Sequence, residues 1–588
     1  MNKGGTNKGM NKRKYIHEEY QVPEIRDLKE LLNLGCTRYK DSPSYLVKDV
    51  PGGEYRSIPF SKLKEDVDAI GTELFSMGLG NKKIAVLGEN SYNWVVTYLA
   101  TTTGGGVIVP LDKELSRKEL LHLVQRSGAT AIAYGEKYRE LIQGMREEAP
   151  ELKYFINMDA LKAGEDHGDL SWEALRLAGK EKLNKGDTSF LEAEIDPESM
   201  CALLFTSGTT GMAKGVMLSH KNIASNVYNM SKLVHIKAPG VGLSVLPMHH
   251  SYEMTCHILT AIYQGVCVAV CEGLKHIAKN LVESKTTVML GVPLVFEGTH
   301  KKVFKQATSS GKDKSLKKGL AISKKFKLYN QGYITKKIFK DVHQATGGHV
   351  DLFIAGGAAM NAKVIEDFQA MGFPMIQGYG MTENSPIIAV NRDRFSKAES
   401  VGFPMPGTEI KIIEPDLKGV GEILCKGPSV MLGYYENPVE TENVLKDGWL
   451  HTGDYGYFDN EGFLYISGRK KNVIVTKNGK NVFPEELEYY LMESDHIEEA
   501  FVYGEADKEG DAVVKAIIYP NFESIKENLV QDTDEALRDF LKTVVENINE
   551  EIPLYKRIKR FAVRKTEFEK TTTKKIKRFT PENFQSDC

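Results

Sequence analysis

Clustered cysteines, a dominant charge and an uninterrupted apolar span are all missing from this chain of 588 residues. Its seven cysteines (Cys36, Cys201, Cys256, Cys267, Cys271, Cys425 and Cys588) are scattered and odd in number, without disulfide-framework or metal-ligand spacing. That excludes a stapled secreted scaffold and a structural zinc module, and it suits a reducing cytoplasm. Lys and Arg number 77 against 79 Asp and Glu, a net charge of −2. The whole chain therefore has no electrostatic pull toward nucleic acid, and no nucleic-acid partner is expected. Met1 to Lys14 is rich in Lys, Asn and Gly but lacks an apolar segment, so it is not a secretory signal. Residues 1–20 read as a disordered tail. Trp94–Leu111 and Met254–Cys271 each run 18 residues without an acidic side chain, Lys or Arg. Gly104-Gly-Gly106 interrupts the first, and His257, Gln264 and Gly265 the second. Each divides into a helix, a Gly break and a Val-rich buried strand, so no transmembrane segment is expected.

What is present is ordinary globular material, 41% hydrophobic and 27% charged, long enough for several folding units. From residue 60 to 134 helix and strand alternate: helix 60–77, Lys83-Ile-Ala-Val-Leu87, helix 91–101, Val107-Ile-Val109, helix 117–127, then Ala129 to Tyr134. Such units predict a parallel α/β sheet, and the pattern resumes from residue 202 to about 395. From about Val401 short strands between Gly, Pro and Asp-Gly turns predict a small antiparallel β subdomain over 401–468. The basic stretch Gly468 to Asn472 reads as a junction. Beyond it a helix at 484–492, two strands and a helix at 533–549 predict a compact α+β unit over 473–588.

The densest chemistry lies at Leu203-Leu-Phe-Thr-Ser-Gly-Thr-Thr-Gly-Met-Ala-Lys-Gly215. Hydroxyls of Thr206, Ser207, Thr209 and Thr210, backbone freed by Gly208 and Gly211, and the charge of Lys214 suit a polyphosphate. It is not a Walker A loop, since Ala213 stands where that motif needs glycine. Further segments are Gly356-Gly-Ala-Ala359, Gly378-Tyr-Gly-Met-Thr-Glu383, His451-Thr-Gly-Asp454, Gly468-Arg469 with Lys471, and Lys570-Thr-Thr-Thr-Lys-Lys-Ile576. Each alone is as readily a turn or a solvated charge run. Leu246-Pro-Met-His-His250 adds a histidine pair that could equally be packed core.

In this order and spacing the segments resemble those of the adenylate-forming superfamily: acyl-CoA synthetases, luciferases and the adenylation domains of peptide synthetases. The resemblance covers residues 35 to 580. It implies an α/β fold with a large N-terminal domain (21–468), a hinge at 469–472 centred on Lys471, and a small mobile α+β C-terminal domain. It also implies roles. Thr206 to Lys214 would hold the β- and γ-phosphates of ATP, and Tyr379 would stack on adenine beside Gly357 and Ala358. Thr382 would contact a phosphate oxygen, and Glu383 with Thr206 would hold Mg²⁺. Asp454 and Arg469 would bind the ribose, Gly479 would line the channel of the coenzyme A thiol, and Lys575 would be the catalytic lysine, with His250 at the acid side. The family's Gly before that lysine is replaced by Lys574 and its Pro by Glu569, which leaves Lys574 as a rival.

His250-Ser-Tyr-Glu253 resembles the His-x-aromatic-Glu of long-chain fatty acyl-CoA synthetases. That branch implies a fatty acid substrate and coenzyme A; loading of an acyl carrier protein, or an inactive nucleotide-binding scaffold, are the alternatives. Between Thr299 and Phe339 twelve lysines stand against Asp313 alone. They read either as solvated surface helices or as a peripheral contact with anionic membrane at its inner surface, with Leu316, Leu320, Ile322, Phe326 and Leu328 as interfacial residues.

Overall fold

The computed structural model describes residues 18–160, 169–206, 213–328, 332–393, 395–476, 480–506, 512–526, 533–571, 575–578 and 580–587. The expected tail thus lies largely outside the described residues, as do Ser207, Gly208, Thr209, Thr210, Gly211, Gly479 and Lys574. The chain divides into two compact units, one of residues 1–409 and 425–450, the other of residues 410–424 and 451–588.

The first unit holds two large sheets. One has eight strands, and its central run, Met200–Thr206, Val107–Pro110, Lys83–Leu87, Ala131–Tyr134 and Tyr154–Asn157, is parallel throughout. The alternation in the sequence produces this directly. Helix Tyr92–Thr102 begins where the Ser91 side chain accepts from the Trp94 N–H. Helix Arg117–Ser127 opens on a reciprocal Ser116–Glu119 capping box and ends at Gly128 with φ 64°. The second sheet has nine strands. Its parallel core runs from Met375–Gly380 through Leu352–Ala355, Val288–Gly291 and Val241–Ser244 to Cys267–Val270. A hairpin from the chain start, Pro43–Val47 with Arg56–Pro59, completes its edge, a pairing that local pattern did not disclose.

Helix Phe60–Ser76 packs on helix Trp172–Asn184 so closely that a Cβ at Gly179 would stand 1.8 Å from the Ala69 carbonyl oxygen. Both 18-residue apolar stretches resolve into helix, glycine and strand. The second differs from its reading in one respect: between Ser251 and Gln264 the helix passes through a π segment, Met254–Leu259. Just before that segment the fully buried Glu253 accepts from Ser244 Oγ at 2.6 Å and lies 2.8 Å from His257 Nδ1. Among the described residues no helix is long and apolar enough to cross a membrane.

The lysine-rich insert forms helices Pro293–Ser309, Asp313–Phe326, Gly332–Ile338 and Lys340–Ala345. Two of its supposed interfacial residues are corrected here. Leu316 and Leu320 are buried in the core with Phe339, Phe353 and Phe368. They lie on the helix face packed against helices Pro293–Ser309 and Ala362–Ala370, whereas Ile322 and Phe326 are exposed, the latter at 64%.

The second unit contains most of the strands Gly421–Lys426 and Trp449–Phe458, the strand Leu464–Arg469, and a three-stranded sheet of Ile497–Ala506, Ala512–Pro520 and Arg560–Val563. Helices Pro484–Met492 and Asp534–Glu551 cover that sheet through Leu487, Leu491, Leu537 and Leu541.

Candidate active site

In the first unit the phosphate-loop strands, Met200–Thr206 and Lys214–Ser219, form an antiparallel pair that sets Thr206 directly opposite Lys214. Five of the expected loop residues lie outside the described residues, but its two ends are positioned. The Lys214 ammonium pairs with the Glu440 carboxylate and sits 5.0 Å from the centre of the Tyr434 ring. That contact holds Glu440 below the usual carboxylate range. The Tyr434 hydroxyl donates to Glu383 Oε1 at 2.8 Å, and burial, then the Glu383 charge, pushes the phenol upward. The hairpin lysine and the candidate metal carboxylate are thus joined through one tyrosine.

Glu383 itself sits on a short 3-10 turn, Thr382–Asn384, that follows strand Met375–Gly380. Asn226 secures the turn by donating to the carbonyls of Asn384 and Ile387 at 3.2 and 3.0 Å. Tyr379 is half-buried within the strand, opposite Ala389. The Tyr-Gly pair, as readily a turn in the sequence, thus forms the end of the strand. The loop of Gly357 and Ala358 is exposed after strand Leu352–Ala355, and Gly357 needs its positive φ of 83°. Beside it Gly356 leaves room for Tyr252, whose ring carbon Cζ would stand 2.7 Å from a Cβ there. The Tyr252 hydroxyl donates to the Ile354 carbonyl at 3.1 Å. His250 is half-buried, with its ring centre 4.2 Å from that of His249.

In the second unit Asp454 and Arg469 face each other across neighbouring antiparallel strands. Thr-Gly-Asp, as readily a turn in the sequence, lies inside strand Trp449–Phe458. The Asp454 backbone N–H donates to Thr452 Oγ1 at 3.1 Å, and that hydroxyl donates to the Ile423 carbonyl at 2.7 Å. Arg469 Nε stands 2.9 Å from Asp454 Oδ1, so the buried carboxylate keeps a fixed counter-charge. Lys575 shares this neighbourhood. Crowding of its ammonium by protein and then the Arg469 guanidinium lower it to about 8, while Asp454 acts in the opposite direction. Lys575 is nonetheless exposed, so solvent weakens the crowding as well as the two charge effects, and the downward direction is what the surroundings support. Lys471 lies in a single 3-10 turn, Lys470–Asn472, next to Lys470, which pairs with Glu422 at 2.6 Å.

Comparison with known proteins is consistent with this layout and decides the family. A model of the AMP-binding enzyme family matches residues 35–435, and one of the AMP-binding enzyme C-terminal domain matches residues 471–584. The chain belongs to the AMP-binding enzymes.

Similar curated proteins span most of this AMP-binding enzyme. Long-chain-fatty-acid–CoA ligase 1 of Cavia porcellus is 28% identical, covering 86% of this chain and 75% of its own length. The long-chain-fatty-acid–CoA ligase of Salmonella typhimurium is 27% identical over 90% of both chains. A chloroplastic long-chain-fatty-acid–acyl-carrier-protein ligase of Arabidopsis thaliana is 28% identical over 83% of this chain and 75% of its own. Among solved structures, an anthranilate CoA ligase bound to anthranoyl-AMP superposes with a TM-score of 0.75 at 20% identity, over 95% of this chain and 97% of its own. The o-succinylbenzoate CoA synthetase of Bacillus subtilis with ATP and magnesium gives 0.69 at 21%, over 93% and 98%. At that identity the structures establish the shared fold.

Reading the sequence overlooked Tyr434 and Glu440 of this AMP-binding enzyme. Gly433-Tyr434 forms a two-residue strand against Val216 and Met217, and Glu440 opens the helix Pro438–Val444. Nothing in their local sequence marks them. Only the pairing of residue 434 with residue 216 brings the tyrosine between Lys214 and Glu383.

Proposed function

We propose that this AMP-binding enzyme is a long-chain fatty acid–CoA ligase. A fatty carboxylate oxygen attacks the α-phosphorus of ATP, the bond to pyrophosphate breaks, and acyl-adenylate forms. The thiol sulfur of coenzyme A then attacks the acyl carbon, the carbon–oxygen bond to phosphate breaks, AMP departs and the thiol proton passes to solvent. The observation that carries the reading is the set of relatives named for long-chain fatty acids, 27–28% identical over most of the chain. It is supported by a cation-and-hydroxyl hairpin and a secured carboxylate suited to a metal–polyphosphate.

In this reading Thr206, Lys214 and the loop from Ser207 to Gly211 bind the β- and γ-phosphates. Tyr379, Gly357 and Ala358 receive the adenine, Thr382 a phosphate oxygen, and Asp454 with Arg469 the ribose. Glu383 presents a hard carboxylate whose Oε1 accepts from the Tyr434 hydroxyl, which fits Mg²⁺, and Thr206 is proposed as a second ligand. When bound, the ion neutralises phosphate charge. Lys575 stabilises the negative charge that accumulates around the α-phosphate, a fixed electrostatic contribution. His250 borders the acid, and Gly479 the thiol channel. Because Lys575 serves the first half-reaction, Lys471 is proposed as the hinge through which residues 473–588 reorient for the second.

The Arabidopsis relative supports one second reading, transfer to an acyl carrier protein in place of coenzyme A. A peripheral role at anionic membrane is also proposed for the insert, from the exposed Phe326 and Ile322 among its lysines. The deciding experiment is pyrophosphate release with carboxylates from acetate to oleate, each with coenzyme A, carrier protein or neither. Release confined to long chains, with thioester formed on coenzyme A, is expected. Release with short or aromatic acids alone would overturn the substrate, and thioester only on carrier protein would overturn the acceptor.

A further inference from the structure

Arg578, three residues beyond Lys575, has no part in the chemistry described above, yet its guanidinium is engaged on several sides. Its Nη2 pairs with the Glu488 carboxylate, its Nη1 donates to the Val502 carbonyl at 2.9 Å, and its guanidinium lies 5.3 Å from the centre of the Phe501 ring. Glu488 is buried and also accepts from the Val502 N–H at 2.7 Å, so the arginine and the strand Ile497–Ala506 share one carboxylate.

One helical turn earlier, Glu485 continues the chain of contacts. Its Oε1 lies 3.6 Å from Arg578 Nε and accepts from Asn472 Nδ2 at 2.5 Å. A Cβ at Gly468 would stand 2.9 Å from Glu485 Oε2, so the helix start is pressed against the strand end that carries Arg469. Among the described residues the buried second carboxylate oxygen of Glu485 has no hydrogen-bond partner. Glu485 is placed by the Asn472 and Arg578 contacts of its other oxygen.

We infer that Arg578, Glu488 and Glu485 form a positioning device that clamps the Lys575 segment and ties it to the junction residues Gly468 and Asn472. Lys575 is thereby presented beside Arg469 and Asp454. The clamp is made of side-chain contacts inside one unit. A planar, five-donor guanidinium satisfies two carboxylates and a carbonyl at once, which a lysine ammonium does less well. The inference rests on the proposed role of Lys575.

The test uses the full chain and the variants Arg578→Gln, Arg578→Lys and Glu485→Gln, each checked for native circular dichroism. Pyrophosphate release is measured with whichever acid the unsubstituted protein accepts, and thioester formation separately from supplied acyl-adenylate. Arg578→Gln is expected to lower kcat of the first step about tenfold or more, since small displacements of a catalytic group have such effects, with KM for ATP and the second step changed by less than about twofold. Arg578→Lys should recover part of the loss. Equal loss in both steps, or an unchanged first step, would overturn the proposal. Should Arg578→Gln not fold, Glu485→Gln reads the same split, and an unchanged split there overturns it. A readout that needs no substrate is the pH dependence of Lys575 labelling by acetic anhydride, followed by mass spectrometry. A titration moved from that of the unsubstituted protein is expected in Arg578→Gln, and an unmoved one refutes the clamp. No pyrophosphate from the unsubstituted protein with any acid would sink the ligase reading and leave the labelling result to judge the clamp.

Discussion

The position of Lys575 predicts an alkaline limit on adenylation. An ammonium lowered to about 8 is mostly charged at neutral pH and mostly neutral a unit above that value. In the free enzyme kcat/KM for ATP should therefore be level below pH 7 and fall about tenfold between that plateau and pH 9. A lysine left at 10.5 would keep the profile flat through the same range. The sign follows from the proposed role: the charged form would stabilise phosphate oxygens, so raising the pH would remove that contribution. Coenzyme A's own thiol becomes more reactive as pH rises, so the assay must be pyrophosphate release without coenzyme A. Lys575→Ala should abolish the alkaline limb and lower the plateau by about 10²- to 10³-fold, the effect of losing one preorganised charge. Lys574→Ala should leave both near those of the unsubstituted protein. Arg469→Gln, by removing a neighbouring positive charge, should move the limb upward, although ribose binding will also weaken. A profile flat to pH 10, or a limb that survives Lys575→Ala and disappears with Lys574→Ala, would refute the assignment.

Four other outcomes are expected. Tyr434→Phe removes the hydroxyl that secures Glu383 and should raise the Mg²⁺ concentration giving half-maximal pyrophosphate release, costing about 1.5–3 kcal/mol in kcat/KM; an unchanged Mg²⁺ titration would separate Tyr434 from the site. Gly179→Ala forces a methyl into the Ala69 carbonyl and should lower stability by about 1–3 kcal/mol or more in chemical denaturation; a neutral result would show that the two helices can part without cost. Lys471→Pro should spare adenylation and depress thioester formation from supplied acyl-adenylate, and an unaffected second step would remove the hinge from Lys471. Replacing Lys314, Lys318, Lys325 and Lys336 with Gln should reduce sedimentation with anionic vesicles, each charge contributing about 1 kcal/mol; unchanged sedimentation would leave the insert a solvated surface.

Much of the fold was readable because its signals are local. Ser116 with Glu119, Ser91 before Trp94 and the Gly breaks after helices act within a few residues, so the helices 92–102 and 117–127 and the parallel strands between them emerge from periodicity and caps. The order of motifs likewise carried the family. Other features were decided by contacts between distant parts of the chain. The edge hairpin 43–59 pairs with strand 267–270, and its short run of residues gives no sign of that partner. Leu316 and Leu320 have the same spacing a membrane-facing stripe would show, and only the helices packed against them make them core. Glu253 reads as a charged residue beside His250, but tertiary structure buries it against Ser244 and His257. The sequence by itself determined which residue types the site would contain, because hydroxyl, glycine, carboxylate and lysine chemistry is written into each motif. Tertiary structure alone decided that Tyr434 links Lys214 to Glu383, and that Arg469 and Asp454 set the charge environment of Lys575. Hydrogen bonds and ion pairs act over a few ångströms, and residues hundreds of positions apart come within that range only when the sheets have formed.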